Sequence, residues 1–296
     1  MEASHAALAV PGVKQVFADY FTLTKPKVQL LLLLTTITTM YVAGDPSPTL
    51  VALTVLGGFL SAGGAGAFNH YYDRDIDAAM GRTAGRPVPA GRISPRAALI
   101  YAFALQIASF AVLWAAANLL AATLALLGFA WYTGVYTVWL KRRSPQNIVI
   151  GGAAGAVPPL VGWAAVTGSV APAALYLFAI VFYWTPPHFW ALSLLMKNEY
   201  ARVGVPMMPV VHGEAETRRQ IVLYTFLLTF LTLLPFVFGF FGVIYAVFAV
   251  GLGAAFIVLS LRLQRNADRK SALRTYLFSL AYLAALFLAM VADAQL

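Results

Sequence analysis

The chain has 296 residues, of which 61% are hydrophobic and only 10% are charged. Soluble domains carry about 25% charged residues, so this composition excludes an ordinary soluble protein and predicts an all-α integral membrane protein. The absence of cysteine excludes disulfide bonds, thiolate chemistry and cysteine-ligated metals.

Nine apolar runs follow one another along the chain, each close to the length of about 20 residues that crosses a bilayer as a helix. Short breaks with turn-forming residues, such as Asp45-Pro46 and Ser144-Pro145, separate them. We therefore predict a cytoplasmic N-terminal segment over residues 1–27 and one nine-helix domain over residues 28–296. The predicted spans are Val28–Ala43, Leu50–Tyr71, Ala97–Ala115, Leu119–Leu140, Ile148–Val166, Ala173–Leu195, Ile221–Phe238, Phe241–Leu261 and Leu273–Val291.

The basic residues provide a test of this helix count. The 20 Lys and Arg residues lie before the first span, in the gaps after the second, fourth, sixth and eighth spans or, for Arg274, at the start of the ninth span. Because short loops rich in Lys and Arg stay in the cytoplasm, this pattern predicts nine spans and a cytoplasmic N-terminus. It also places the 20 basic residues at one membrane face. We therefore expect no nucleic-acid partner.

The second span runs into a stretch, Asn69–Pro95, in which acidic and basic residues are combined. Asn69, Asp73 and Asp77 recur every four residues, so on a helix they share one face. Asp75 lies roughly on the opposite side. Acidic side chains near hydrocarbon are costly and are usually functional. Their oxygen atoms suit Mg²⁺, which binds few protein carboxylates and completes its coordination with water and substrate phosphate.

Arginine residues follow this acidic row at once. Guanidinium groups can bind phosphate with two hydrogen bonds each, so carboxylates beside several arginines are typical of a diphosphate site that uses Mg²⁺. The alternative is a charge-rich loop that the topology places at the membrane surface, where water solvates it. The arginines are Arg74, Arg82, Arg86, Arg92 and Arg96.

The NxxxDxxxD pattern resembles the first signature of the UbiA family of intramembrane prenyltransferases, whose corresponding residues bind Mg²⁺ and an isoprenoid diphosphate. The resemblance implies that Asn69, Asp73 and Asp77 are metal ligands. It further implies that Asp73 and Asp77 are catalytic and that Asn69 also contacts the substrate. Arg82 and Arg86 would then bind the diphosphate.

The end of the fourth span, Tyr136-Thr-Val-Trp-Leu-Lys141-Arg142, has two interpretations. By residue type alone, it is a basic anchor that extends to the membrane surface beside interfacial aromatic residues. It is also similar to a YxxxLKR element of the UbiA enzymes, whose lysine contacts diphosphate. The resemblance implies a catalytic role for Lys141 and substrate contacts for Tyr136 and Arg142.

Further stretches are similar to the haem O synthases, or protohaem IX farnesyltransferases, within the UbiA family. This similarity implies transfer of farnesyl from farnesyl diphosphate to a vinyl group of protohaem IX, which gives haem O. The stretches are RxxxRPxxxGxIS after the acidic row, the segment Asn147–Gly168, and Tyr183-Trp-Thr-Pro-Pro-His188-Phe-Trp-Ala-Leu with its continuation Gly204-Val-Pro-Met-Met-Pro-Val-Val211.

The chain departs from many UbiA enzymes after the sixth span, where those enzymes carry a second acidic motif that binds a second Mg²⁺. Here Glu199 stands beside Lys197 and Tyr200. We hypothesise that Lys197 or Arg202 supplies the missing positive charge to the diphosphate. We predict substrate contacts for all four residues.

His188 in the sixth span also has two interpretations. A lone buried histidine is commonly a hydrogen-bonded structural residue. Imidazole is also a usual axial ligand of haem iron, so a haem substrate would favour a contact with His188. We include His188 among the predicted substrate-binding residues.

Two rival functions stay open at this point. One is a UbiA enzyme with another acceptor, such as a quinone precursor or another tetrapyrrole. The other is a transporter of haem or isoprenoid, which would be expected to have inverted repeats and charges near the bilayer midplane. The expected partners are farnesyl diphosphate, protohaem IX and membrane lipid, and association with a haem A synthase is left open. The first residues resemble no transit peptide, which favours a bacterial inner membrane with the active site on its cytoplasmic side.

Overall fold

The computed structural model describes residues 12–296, and every regular element in this part of the chain is a helix. Residues 1–11 of the predicted N-terminal segment lie outside the described residues. The helices are α1 (Val13–Leu23), α2 (Pro26–Ala43), α3 (Pro48–Tyr72), α4 (Arg74–Ala79), α5 (Pro95–Ala116), α6 (Leu119–Ala130), a π-helical segment (Trp131–Leu140), α7 (Asn147–Gly151), α8 (Ala153–Thr167), α9 (Pro172–Leu195), α10 (Lys197–Arg202), α11 (Met208–Val211), α12 (Gly213–Val237), α13 (Val243–Asn266) and α14 (Arg269–Ala294).

Eight helical spans within residues 12–296 are long and apolar enough to cross a membrane, and each overlaps one predicted span. The remaining predicted span is α9, a helix of 24 residues. Its Tyr, Trp, Pro and His side chains lower its hydropathy. The all-α membrane fold is therefore confirmed, whereas the count of nine spans and the cytoplasmic N-terminus remain predictions.

The long helices form one closed bundle. Each packs on the next along the chain, in the order α2, α3, α5, α6, α8, α9, α12, α13 and α14, and α14 returns to α2. Contacts of α2 with α8 and of α9 with α14 place these four helices at the centre. Trp190, Tyr245 and Tyr282 are fully buried inside, whereas Ile107 and Phe230 are largely exposed on the outside. Such an apolar exterior suits contact with lipid.

The gaps that carry the basic residues meet at one end of this bundle. Four helices that the apolar runs did not predict, α1, α4, α10 and α11, belong to these gaps. α1 was missed because it mixes polar and apolar residues, and the other three because they have only four to six residues. Side chains from α4, the π-helical segment and residues 196–210 share one apolar cluster there.

The fourth predicted span changes its helix type along its length. In the π-helical segment, backbone hydrogen bonds reach five residues back, as from the N–H of Lys141 to the carbonyl of Tyr136 (2.9 Å). The wider turn lets residues spaced by four and five positions share a face, which aligns Tyr132, Tyr136 and Lys141. π-helical turns are rare and occur frequently at functional sites.

Candidate functional site

Asn69, Asp73 and Asp77 form one buried row at the junction of α3 and α4. The N–H of Asp73 donates to the carbonyl of Asn69 (2.9 Å), and the N–H of Asp77 donates to the carbonyl of Asp73 (2.8 Å). Helical hydrogen bonding thus continues across the junction and keeps the three side chains on one face. Their exposed fractions are 3%, 0% and 4%, whereas 62% of the Asp75 side chain is exposed.

Cations lie on the oxygen atoms of this acidic row. Lys141, which follows the π-helical segment, donates to Oδ2 of Asp73, and Nη1 of Arg86 lies 2.6 Å from Oδ2 of Asp77. The amide nitrogen of Asn69 also donates to Oδ2 of Asp73, at 2.6 Å. Buried charges need such partners. The structure therefore brings together Asp73, Asp77 and Lys141, the three residues predicted to be catalytic.

Arg142 lies at the edge of the row and pairs mainly with Asp75. Its two terminal nitrogens are 2.6 and 2.7 Å from the two carboxylate oxygens of Asp75. The hydrogen bonds from Arg142 lower the pKa of Asp75 to about 2. The same guanidinium donates to the carbonyl of Tyr72 (3.1 Å) and lies 3.6 Å from Oδ1 of Asp73. Arg142 thus joins the exposed and buried carboxylates.

Lys25, which the sequence analysis did not single out, belongs to the same site. Its Nζ lies 2.5 Å from Oδ1 of Asn69. Lys25 stands before Pro26 at the start of α2 with a φ of 54°, in a left-handed conformation that residues other than glycine seldom adopt. Burial of its ammonium group, with Arg86 and Lys141 nearby, lowers the pKa of Lys25 to about 7. Burial is the main cause of this shift, so an anionic ligand beside Lys25 would favour its charged form.

Aromatic and apolar side chains enclose one side of the row. The ring centres of Tyr132 and Tyr136 are 5.3 Å apart. Gly151 lies close to the ring of Tyr136, and its lack of a side chain leaves room for the ring. A Cβ at residue 151 would lie 2.9 Å from Cγ of Tyr136. Tyr136 and Tyr200 pack against an apolar cluster made of Ile76, Met80, Ile148, Val205 and Met207.

The oxygen atoms of the acidic row fit a magnesium ion. Oδ1 of Asp73 is buried and has no hydrogen-bond partner among the described residues. Carboxylate and amide oxygens are suitable ligands for Mg²⁺. Within residues 12–296, no group of three or more His, Cys, Asp or Glu side chains could hold a metal ion. A metal on this row would therefore need further ligands, such as the oxygen atoms of a diphosphate.

Three predicted cations do not contact the row. Nζ of Lys197 lies 3.1 Å from Oε1 of Glu214. Both residues line a separate cleft of about 310 Å³. Arg82 and Arg202 are exposed, and neither forms an ion pair within the part of the chain that the structure describes. Glu199 has a buried oxygen, Oε2, without a hydrogen-bond partner in that same part.

His188 lies between two aromatic rings in the interior. Trp184 stacks on the imidazole with ring centres 4.3 Å apart, and Tyr276 from α14 stacks at 4.9 Å. Nδ1 of His188 is 2.7 Å from the hydroxyl oxygen of Ser279. These contacts favour the interpretation of His188 as a structural residue. Its contact with haem remains a prediction.

Comparison with known proteins shows extensive similarity. The chain is 55% identical to a protein from Chloroflexus aurantiacus named protoheme IX farnesyltransferase, over 96% of this chain and 49% of that protein. It is 50% identical to the protein of the same name from Gloeobacter violaceus, over 98% of this chain and 96% of that protein. The chain therefore spans about half the length of the first of these curated relatives and nearly all of the second.

The fold has solved counterparts. A UbiA homolog from Archaeoglobus fulgidus, solved with DMAPP and Mg²⁺ bound, has a TM-score of 0.67 and 18% sequence identity, with 93% of this chain and 99% of that chain covered. The UbiA prenyltransferase family matches residues 32–289, a range that includes the acidic row, the π-helical segment and all but the ends of the bundle. The chain belongs to the UbiA prenyltransferase family.

Proposed function

We propose that this chain is a magnesium-dependent intramembrane prenyltransferase that transfers farnesyl from farnesyl diphosphate to a vinyl group of protohaem IX, giving haem O. The observation that carries the proposal is the 50% identity over nearly the whole length of a relative named protoheme IX farnesyltransferase. The acidic row supports it, because carboxylates surrounded by cations suit a metal-bound diphosphate. The DMAPP and Mg²⁺ bound in the Archaeoglobus homolog support the same use of the fold.

The cations of the site would transfer from protein oxygens to phosphate oxygens as the diphosphate binds. Lys25, Arg86 and Lys141 each lie on an oxygen atom of the row. Their transfer would leave the oxygens of Asn69, Asp73 and Asp77 available as metal ligands. When bound, Mg²⁺ supplies positive charge that stabilises the departing diphosphate.

The chemistry then needs charge stabilisation and the exclusion of water. The bond between the allylic carbon of farnesyl and the diphosphate oxygen breaks, and diphosphate leaves with the electron pair. Fixed positive charges aimed at the leaving group favour this step. Tyr132 and Tyr136, beside the row, would stabilise the allylic cation with their ring faces and limit access of water.

The acceptor step joins farnesyl to the tetrapyrrole. A terminal vinyl carbon of protohaem IX bonds to the allylic carbon, which places positive charge on the second vinyl carbon. Water adds to that carbon and loses a proton, which gives the hydroxyethylfarnesyl group of haem O. We place this reaction at the end of the bundle that carries the basic residues, on the cytoplasmic side of a bacterial inner membrane.

A direct assay tests the proposal. Purified protein is incubated with protohaem IX, farnesyl diphosphate and Mg²⁺, and haem O is measured by mass spectrometry, with a quinone precursor replacing haem in a parallel reaction. We expect haem O to form only with Mg²⁺. Asp73→Ala and Asp77→Ala should each lower the rate by at least about a hundredfold, as loss of a transition-state contact does. Asp75→Ala, whose carboxylate is exposed, should be much milder.

Two outcomes would contradict this reading. Prenylation of the quinone precursor without haem O would assign another acceptor. Equal losses of activity for Asp73→Ala, Asp75→Ala and Asp77→Ala would argue against a buried site that uses Asp73 and Asp77 but not the exposed Asp75.

A further inference from the structure

Helix α1 carries a buried carboxylate that pairs with the arginine-rich loop. Nε of Arg92 lies 2.9 Å from Oδ2 of Asp19, and its Nη2 lies 3.0 Å from Oδ1. Gln15 donates to the same carboxylate at 3.2 Å. The guanidinium of Arg92 holds the pKa of Asp19 below its usual value. The pair therefore contributes to stability at neutral pH and loses this contribution only as the pH falls through the lowered pKa.

The end of α1 that follows Asp19 is fixed to the membrane-spanning bundle. Leu23 is fully buried, and the ring of Tyr20 meets the ring of Tyr101 from α5 at 5.0 Å. The backbone of α1 approaches α3 closely at Gly66, where a Cβ would lie 2.9 Å from the carbonyl oxygen of Leu23. The helix that carries Asp19 is thus packed against α3, the helix at whose end the acidic row begins.

Arg92 continues this connection into the loop that carries Arg86. Nη2 of Arg92 donates to the carbonyl of Gly85 at 3.2 Å, and its backbone N–H donates to the carbonyl of Pro87 at 2.9 Å. These two contacts lie on either side of Arg86, whose guanidinium reaches Asp77 at 2.6 Å. A short chain of contacts therefore runs from α1 to the acidic row.

We propose that Asp19 is a positioning residue, which acts through Arg92 to hold the loop over residues 85–92 so that Arg86 stays beside Asp77 and meets the diphosphate. This inference rests on the proposed function, because it concerns binding of the prenyl diphosphate. Asp19 itself is paired with Arg92 and Gln15 and does not belong to the row. Val88 and Ile93 are buried in the same apolar cluster as Leu23, so the loop should stay folded without the ion pair.

A double-mutant cycle tests the connection. The affinity of the purified protein for the non-hydrolysable analogue farnesyl thiolodiphosphate, with Mg²⁺ present, is measured for wild type, Asp19→Asn, Arg86→Gln and the double variant. We expect Asp19→Asn to weaken binding of the analogue about tenfold, because it would displace the charge-assisted contact of Arg86 with the diphosphate without removing it. In the Arg86→Gln background the same change should leave the affinity almost unchanged, because Asp19 acts through Arg86 and the effects of the two substitutions are then not additive.

The controls separate positioning from general destabilisation. Glu216→Gln removes an exposed ion pair with Arg219 and should leave the affinity unchanged. Thermal unfolding in detergent is followed for every variant. If Asp19→Asn does not fold, Arg92→Lys, which keeps the charge but loses the paired contact, replaces it in the cycle.

Each result of the cycle decides the inference. Wild-type affinity in Asp19→Asn, or additive losses in the double variant, would overturn it. A wild-type protein that binds no analogue in the presence of Mg²⁺ would instead contradict the proposed function, and the inference would fail with it.

Discussion

Lys25 and Lys197 both stand at the start of a helix, yet their ammonium groups have different surroundings. Nζ of Lys25 lies 2.5 Å from Asn69 in the acidic row. Nζ of Lys197 lies 3.1 Å from Glu214, in the cleft that Arg269 also lines. We therefore propose that Lys25 has the role at the diphosphate that the sequence predicted for Lys197 or Arg202.

A matched pair of substitutions measures this difference. We expect Lys25→Met to weaken binding of farnesyl diphosphate about ten- to a hundredfold, the value of one charge-assisted hydrogen bond. Lys197→Met should leave that affinity near the wild-type value. Saturation curves for farnesyl diphosphate and for haem are recorded separately. A loss of diphosphate affinity in Lys197→Met alone would support the hypothesis of a replaced second metal and contradict the geometric expectation.

The site residues that spacing could predict are those close together in sequence. Asn69, Asp73 and Asp77 were found because a helical period relates them and the helical hydrogen bonds continue through Asp73. Lys25 was missed because it meets Asn69 across 44 positions of sequence and begins its helix in a left-handed conformation. No periodicity reports such a contact.

At the scale of the element, the approach of α7 to the π-helical segment sets the position of one aromatic ring. The chain at Gly151 comes so close to Tyr136 that any side chain there would overlap the ring. Tyr136 in turn packs, with Tyr200, against the apolar cluster that includes Ile76 of α4. A residue without titratable groups therefore controls the shape of the site.

Two glycines four residues apart, Gly151 at the end of α7 and Gly155 in α8, give a controlled comparison. Gly151→Ala should displace the ring of Tyr136, destabilise the protein by about 1–3 kcal/mol as overpacking does, and slow the transfer reaction. Gly155→Ala meets nothing within 4 Å and should be neutral or slightly stabilising, because alanine favours a helix over glycine. Turnover and thermal unfolding are measured for both variants. Equal effects of the two changes would contradict a specific role of Gly151.

The long helices could be predicted because hydrocarbon demands apolar runs whose backbone groups pair within the run. The short helices α4, α10 and α11 carry no such signal, and α1 mixes Lys14, Gln15 and Asp19 with apolar residues. The π-helical segment also escaped notice, because its apolar composition suits an α-helix equally well.

At the scale of the whole molecule, the helices form a closed bundle whose basic gaps meet at one end. Eight spans within residues 12–296 satisfy the length and hydropathy of a membrane helix. α9 packs among them between α8, α12 and α14. Its place in the bundle agrees with a ninth span, although its aromatic and proline-rich composition lowers its hydropathy.

Reporter fusions test the topology, and the two sites that flank α9 decide the count. A reporter after Gly168 should lie in the periplasm and one after Gly213 in the cytoplasm, because the gap that contains Gly213 carries Lys and Arg residues and the gap at Gly168 carries none. The same side for both would exclude α9 as a span. Companion fusions after Asp45 and Ala117 should be periplasmic, and those after Gly91 and Arg143 cytoplasmic.

Because of the π-helical segment, the number of residues between α6 and Lys141 determines whether Lys141 faces Asp73. Loss of one residue, for example Gly134, would let the segment form an α-helix. Because each α-helical residue turns the chain by about 100°, the residues after the deletion would then face a different direction relative to Tyr132. Lys141 would then rotate away from Asp73, although no side chain of the site had changed. A deletion in this stretch is therefore a different kind of change from a substitution, because it alters which residue faces the diphosphate.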